Sequence, residues 1–546
     1  TKNLTINSGT GDITLVDIHG DGTTDTTDLD IDGATVSVGN IGLSTAKDEI
    51  NGVDITGTTL VTLNGAIYTG GTGNTVDITG SVSLATGDIL IDTITSDGAV
   101  TITGAVTGTQ NLDILSGTGL TTITGNIGTG GTPLTSLDIN NADTAGDTGG
   151  VTLGGNIGVG TTSGTTPGAG IVNLGNANTT GAITLSGTVY NTSGAVTLKG
   201  GSYVVDNASA VTMVTSGDAV TFGVSGVTGD LTVGNATFTI DTDTTASSGG
   251  NITFFGDILG ASSGDKADIV LDAYDGTVTV LGIGDNGGSD NDEINDITLT
   301  GATIYLNGGL NATHNSSTDK GNVTFTGAVQ IVGDTTIVTD NTSTNDGNVS
   351  FSSTIDDYAA SGTSNLVIKS GGGTVGVTGK IGPTTGLTSL TINASDSYSA
   401  TGKITLTGDI GDTGNEGVTG TTKVGNASTT EIELGGTLYR TNAATYTASG
   451  TAADNNGSID MAATLDVKFQ SSNDTITFAT GKLELGNGAD LEVTTGSGDI
   501  SVYGVVGTSY ETVLLTTSGD VTVGAGGIGT GTTVSDVDID GATITL

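Results

Sequence analysis

The chain has 546 residues, with 95 Gly, 3 Pro and neither Cys nor Trp, and its 58 acidic and 12 basic residues give a formal net charge of −46. That balance argues against nucleic acid as a partner, because phosphate binding needs clustered Lys and Arg, and Arg440 is the only arginine. Anionic membrane surfaces are disfavoured for the same reason. Cations are the expected converse.

Gly, Thr, Ser, Asn and Asp dominate, while the residues that favour helices are scarce. Such a composition is compatible with disorder, but the 34% hydrophobic fraction arrives in short alternating runs. The chain therefore reads as folded and almost entirely β. No apolar run is long enough for a transmembrane helix. The absence of Cys leaves the redox compartment open.

In chain order, the first strands expected are NLTI (3–6) and DITLV (12–16). TKNLTINSG enters directly as a strand with no signal-peptide pattern, so a secreted protein is expected to be a processed form or part of something longer. DIHGDGTTDTTD (17–28) follows. Counted as a 12-residue calcium loop, it puts Asp17, His19 and Asp21 at positions 1, 3 and 5, Thr23 at 7, Asp25 at 9 and Asp28 at 12. The spacing resembles dockerin and EF-hand loops, which wrap Ca²⁺ in hard oxygen ligands. His at position 3, Asp at 12 and a following strand-like LDIDGATVSV depart from that pattern, and a solvated Asp-rich turn is the plainer reading.

Further strands are expected at ATVSV (34–38), AVTITG (99–104), DLTVG (230–234) and NITFFG (251–256). TVTVLG (277–282) precedes a second acidic loop, GDNGGSDNDEIND (284–296). There Asp285, Asp290, Asp292, Glu293 and Asp296 form a second, less regular candidate Ca²⁺ site. NVTFTG (322–327), KITLTG (403–408) and DVTVG (520–524) continue the series. Each run alternates apolar with polar residues and then meets Gly, Asn or Asp, the pattern of strands with one buried face.

Long-range self-similarity chooses between a β-sandwich and a parallel β-solenoid. DEINGVDITGTTLVTLNG (48–65) returns as DEINDITLTGATIYLNGG (292–309). LTSLDIN (134–140) returns as LTSLTIN (387–393), and LGNANTTGAITLSGTVY (174–190) as VGNASTTEIELGGTLY (424–439). Tandem immunoglobulin-like domains would repeat about every 100 residues, whereas the offsets here run from 243 to 254. The expected fold is an elongated all-β parallel solenoid, with two tandem units of about 245 residues and about 20–25 residues per turn. Residues 1–52 form N-terminal rungs carrying the acidic loop 17–28, 53–296 the first unit, 297–536 the second, and 537–546 the start of a third.

The phrases ITGNIGTGGTPLTSLDIN and ITLSGTVYNTSGAVTL resemble the Thr/Gly-rich repeats of bacterial filamentous-haemagglutinin-like and autotransporter-like surface proteins. That resemblance is one of texture and spans nearly the whole chain. It implies a right-handed coil, secretion, and service as an adhesin or surface fibre. Neither that family's secretion domain nor a C-terminal barrel is recognisable.

Enzymatic motifs are poorly supported. The two histidines, His19 and His314, stand in unrelated contexts, and triads or zinc sites need more His or Cys. A solenoid polysaccharide lyase or hydrolase is the enzyme alternative, with Asp356 and Asp357 the one tempting adjacent pair. The expected function is non-enzymatic: a subunit or segment of an extracellular filament, sheath or adhesin stalk, with Ca²⁺ its only candidate cofactor. Since neither end reads as a capped rung, head-to-tail self-association or continuation of a longer repetitive chain is expected. A cell-surface or glycan ligand is a further expected partner. A calcium-dependent surface-layer lattice is the second alternative.

Overall fold

The computed structural model describes residues 3–546 except 21–27, 44–49, 71–72, 143–147, 163–164, 206, 227–228, 235, 244–247, 262–266, 285–293, 314–320, 341–345, 359–361, 395–400, 450–457, 462–464, 487, 509 and 530–533. Among the described residues the regular elements are strands, from 2 residues (Ile67–Tyr68) to 13 (Leu29–Ile41), and there is no helix. The strands pair in parallel with the strand one turn away, which makes the chain a β-solenoid. It divides into two compact units: residues 1–261 with 270–278, and residues 262–269 with 279–546.

Alternation along each strand sends every second side chain inward, and parallel pairing sets those side chains above one another. In the first unit one column runs from Leu4, which is exposed, through the buried Leu29, Val53, Val76, Val100, Thr121, Val151, Ile183, Tyr203, Leu231 and Ile258. Val36, Val61, Val82 and Val106 belong to a second column, and Ile41, Ile67, Ile91, Ile114 and Ile139 to a third. Three strand faces thus enclose the core. The second unit repeats the scheme with Ile297, Val323, Val349, Val375, Ile404 and Ile432 in one column. Burying each such side chain contributes about 1.5–3 kcal/mol against the entropy of ordering the chain.

The turns are less uniform than the expected 20–25 residues. The rise from Ile183 to Tyr203 takes 20 residues, while that from Ile139 to Leu174 takes 35. The extra residues leave at corners, so the pairing registers on either side persist. The filling also differs from the aliphatic stack that the composition suggests. Phe222 stacks on Phe254 at 4.6 Å, Phe325 on Phe351 at 4.5 Å and Tyr439 on Phe469 at 4.8 Å. Each pair is the in-register neighbour of the other, and such contacts add about 0.5–1.5 kcal/mol beyond burial.

Glycine has a specific task at one corner. Gly57, Gly80, Gly104, Gly125, Gly155 and Gly187 stand above one another, and a Cβ on any of the last five would overlap the carbonyl of the glycine below. Buried asparagines hold another corner. Asn140 has a left-handed backbone (φ 50°); its Oδ1 accepts from the Ser116 N–H at 2.7 Å, and its Nδ2 donates to Ser116 Oγ at 2.9 Å. Asn393, its partner in the sequence match, has φ 49° and makes the same two bonds with Ser370, at 2.7 and 2.9 Å.

These glycines differ in what surrounds them, so two alanine substitutions should move stability in opposite directions. Gly125→Ala is expected to cost about 1–3 kcal/mol through overpacking. Gly376 sits in a strand with nothing near its absent Cβ, and Gly376→Ala is expected to be neutral or stabilising by up to about 1 kcal/mol. Denaturant midpoints of the two variants test this pair.

Candidate functional site

The candidate calcium-binding carboxylates that lie among the described residues are engaged along the coil. Asp17 Oδ1 accepts from the Asn40 N–H and from Asn40 Nδ2, both at 3.0 Å, and Asn40 Oδ1 accepts from the Ala66 N–H. Asp28 Oδ1 accepts from the Gly52 N–H at 3.4 Å, and His19 is exposed. Asp21, Thr23 and Asp25 lie outside the described residues, as do Asp285, Asp290, Asp292 and Glu293. No group of three or more His, Asp or Glu side chains suited to a metal occurs among the described residues.

Asp296 belongs to a five-rung staple. Asp268 Oδ1 accepts from Asn295 Nδ2 and the Asp296 N–H. Asp296 Oδ1 accepts from the Asn322 N–H and Nδ2 at 2.7 and 2.9 Å. Asn322 Oδ1 then takes the Asn348 N–H, and Asn348 Oδ1 the Thr374 N–H and hydroxyl. All five of these stapling residues stand immediately before a strand that pairs with a neighbouring turn. Spacing within one loop gives no sign of this, because each partner is a full turn away.

Parallel register also sets acids above acids. Asp30, Asp54 and Asp77 form one such row, and Glu433, Asp460 and Glu484 another. Burial, then the charges of Asp30 and Asp77, pushes the Asp54 carboxyl up from its usual range. Burial and then Glu431 and Glu433 do the same to Asp460, although Lys403 pairs with Glu431 at 3.0 Å and Glu433 at 2.6 Å. Asp340 is pushed up to about 6 by burial and by Asp346, with Lys369 opposing.

Asp356 and Asp357 are both buried in the strand Ile355–Asp357. Asp356 Oδ1 accepts from the Thr384 and Thr385 N–H groups at 2.8 and 3.1 Å, and Asp357 Oδ2 from the Ser364 N–H at 2.6 Å. Their bonds fix the backbone at 364 and 384–385. The second of those segments forms one wall of an open, polar groove of about 380 Å³, whose other walls carry Asn415, Glu416, Thr419 and Arg440.

Arg440 follows the buried Tyr439 in the strand Leu438–Thr447, so alternation turns it outward. Its Nη1 donates to the Thr413 carbonyl at 3.0 Å and reaches that of Asp412 at 3.5 Å. Asp412 shapes the loop by accepting from the Gly414 and Asn415 N–H groups at 2.6 and 2.7 Å, and those bonds hold its carboxyl below the usual range. Glu416 Oε1 accepts from the Ser472 hydroxyl at 2.6 Å. The isolation of a single arginine in so acidic a chain was the one available signal of this groove. Its walls, which include Gly362, come from four successive turns, which no local motif records.

No protein-family model matches the chain, and neither a curated protein nor a solved structure matches it.

The raised carboxyls fix the direction of one pH effect. The folded chain keeps the Asp340 proton up to about pH 6, while the unfolded chain releases it near pH 4. The folded state therefore binds more protons between these values, and stability falls as pH rises through that window. Asp340→Asn is expected to raise the thermal midpoint at pH 7 and to leave it nearly unchanged at about pH 4. Thermal unfolding of both proteins across that range at low salt reads the difference.

Proposed function

We propose that the chain is a non-enzymatic structural protein outside the cell, a subunit or segment of a surface filament, sheath or adhesin stalk. The observation that carries this reading is the use to which polar side chains are put. Asp17, Asn40, Asp296, Asn322 and Asn348 all bond to the neighbouring turn, so hydrophilic residues reinforce the stack that the apolar columns build. Such side chains brace a fibre element along the direction in which its turns stack.

Assembly by stacking turn on turn follows the same physics. Every turn offers its neighbour a parallel strand edge together with matched side-chain columns, so a second copy or further repeats would extend ladders already present. The Thr/Gly-rich resemblance to filamentous-haemagglutinin-like proteins supports the same reading. A calcium-dependent surface lattice is the second reading, favoured by the acid rows at Asp30–Asp54–Asp77 and Glu433–Asp460–Glu484, whose repulsion a divalent ion would relieve.

Electron microscopy of the purified protein with and without a chelator separates these readings. Smooth filaments that survive chelation are expected. Sheets that dissolve on chelation would favour the lattice, and dispersed monomers that cleave acidic polysaccharide would overturn the structural reading.

A further inference from the structure

We propose that the groove beside Arg440 is a binding site for a small hydroxylated carboxylate, of the chemical class of a uronic acid. Three observations lead there.

Arg440 is positioned without a direct ion pair, although its charge acts on the nearby Asp412 carboxyl. Among the described residues, Lys380 pairs with Asp409 at 2.9 Å, Lys403 with Glu433 at 2.6 Å and Lys468 with Glu492 at 2.7 Å, whereas Arg440 forms no ion pair. Its bonds go to backbone carbonyls through Nη1 alone. The rest of the guanidinium fork retains its charge and its donors, which suit a carboxylate bidentately.

A positive charge is not needed to hold the loop. Asn191 occupies the corresponding corner of the first unit. Gly158 and Gly411 both have positive φ (71° and 80°). Asn191 and Arg440 donate their N–H groups to the carbonyls of Ile157 and Ile410, and accept from the N–H groups of Gly168 and Gly417. Tyr190 and Tyr439, one residue earlier, each accept from a glycine N–H. At this corner Asn191 Nδ2 bonds to the carbonyls of Gly160, Thr162 and Thr165, and the side chain is fully buried. An amide therefore staples a longer loop by itself, and the guanidinium supplies something further.

The space beside the guanidinium is of ligand size. About 380 Å³ lies at the small end of small-molecule sites. Glu416, Thr384, Thr385 and Thr419 line it, and their side-chain oxygens are partners for sugar hydroxyls, Thr419 as an acceptor because its hydroxyl donates to the Leu387 carbonyl. Glu416 also opposes a second negative charge, so the site suits one carboxylate and not a phosphate cluster.

The test titrates the full chain with D-glucuronate, D-glucose and acetate, using calorimetry and ligand-observed NMR. Glucuronate is expected to bind in the millimolar range, at least about tenfold tighter than either of the others. Arg440→Asn reproduces the first unit's arrangement and is expected to keep the thermal midpoint while losing glucuronate binding at least about tenfold. Glu416→Gln is expected to tighten glucuronate and leave glucose unchanged. Should Arg440→Asn loosen the fold, Arg440→Lys, which keeps the charge without the fork, must still weaken glucuronate severalfold. No binding by the unaltered protein, equal binding of glucose and glucuronate, or a folded Arg440→Asn that binds as before would each overturn the assignment. Filament formation is scored separately, since the groove neither requires nor implies it.

Discussion

The in-register parallel contact between one turn and the next, at a spacing of about 4.8 Å, governs the rest of this structure. It sets each residue over its counterpart and therefore multiplies whatever a single position offers. Valines and isoleucines become the columns that include Val53–Val76–Val100 and Ile67–Ile91–Ile114. Phe325 and Phe351 become a stack, and glycines become a channel for close backbone approach from Gly57 to Gly187. Asparagines become staples, because an amide can accept from the turn above while its own backbone N–H is held by the turn below.

The same contact has an electrostatic cost. Carboxylates that would be harmless on a globular surface are brought over one another at Asp30, Asp54 and Asp77. Part of the repulsion is met by lysines in the second unit, where Lys403 and Lys468 bridge to acids on a neighbouring turn. Elsewhere burial, and after it the charges of neighbouring acids, push the carboxyls of Asp54 and Asp113 up from their usual range. Cations and mild acid should consequently act on this protein in the same direction.

Variation enters at corners, where it does not disturb register. The loop that leaves after Gly158 is longer than the one after Gly411, yet both return to a glycine that bonds to the same backbone carbonyl position. One corner residue can then be asparagine in one unit and arginine in the other. A solenoid thus separates the strand positions that build it from the corner positions that can acquire chemistry.

Strand class and coil were legible in the chain itself: alternation in runs such as NVTFTG, glycine and asparagine punctuation, and a phrase returning after 244 residues all point to a parallel stack. The equivalence of Asn140 and Asn393 was also readable, since both close matched phrases. What those asparagines do was not readable, nor was the role of Asp296, because a local acidic spacing looks alike whether its oxygens face an ion or the N–H of the next turn. The groove at Arg440 depends on residues from four turns, separated by corners of unequal length. Periodicity along the chain determined which side chains point inward; only the stacking of unequal turns decided which outward ones meet, because that distance is set across turns and not along the sequence.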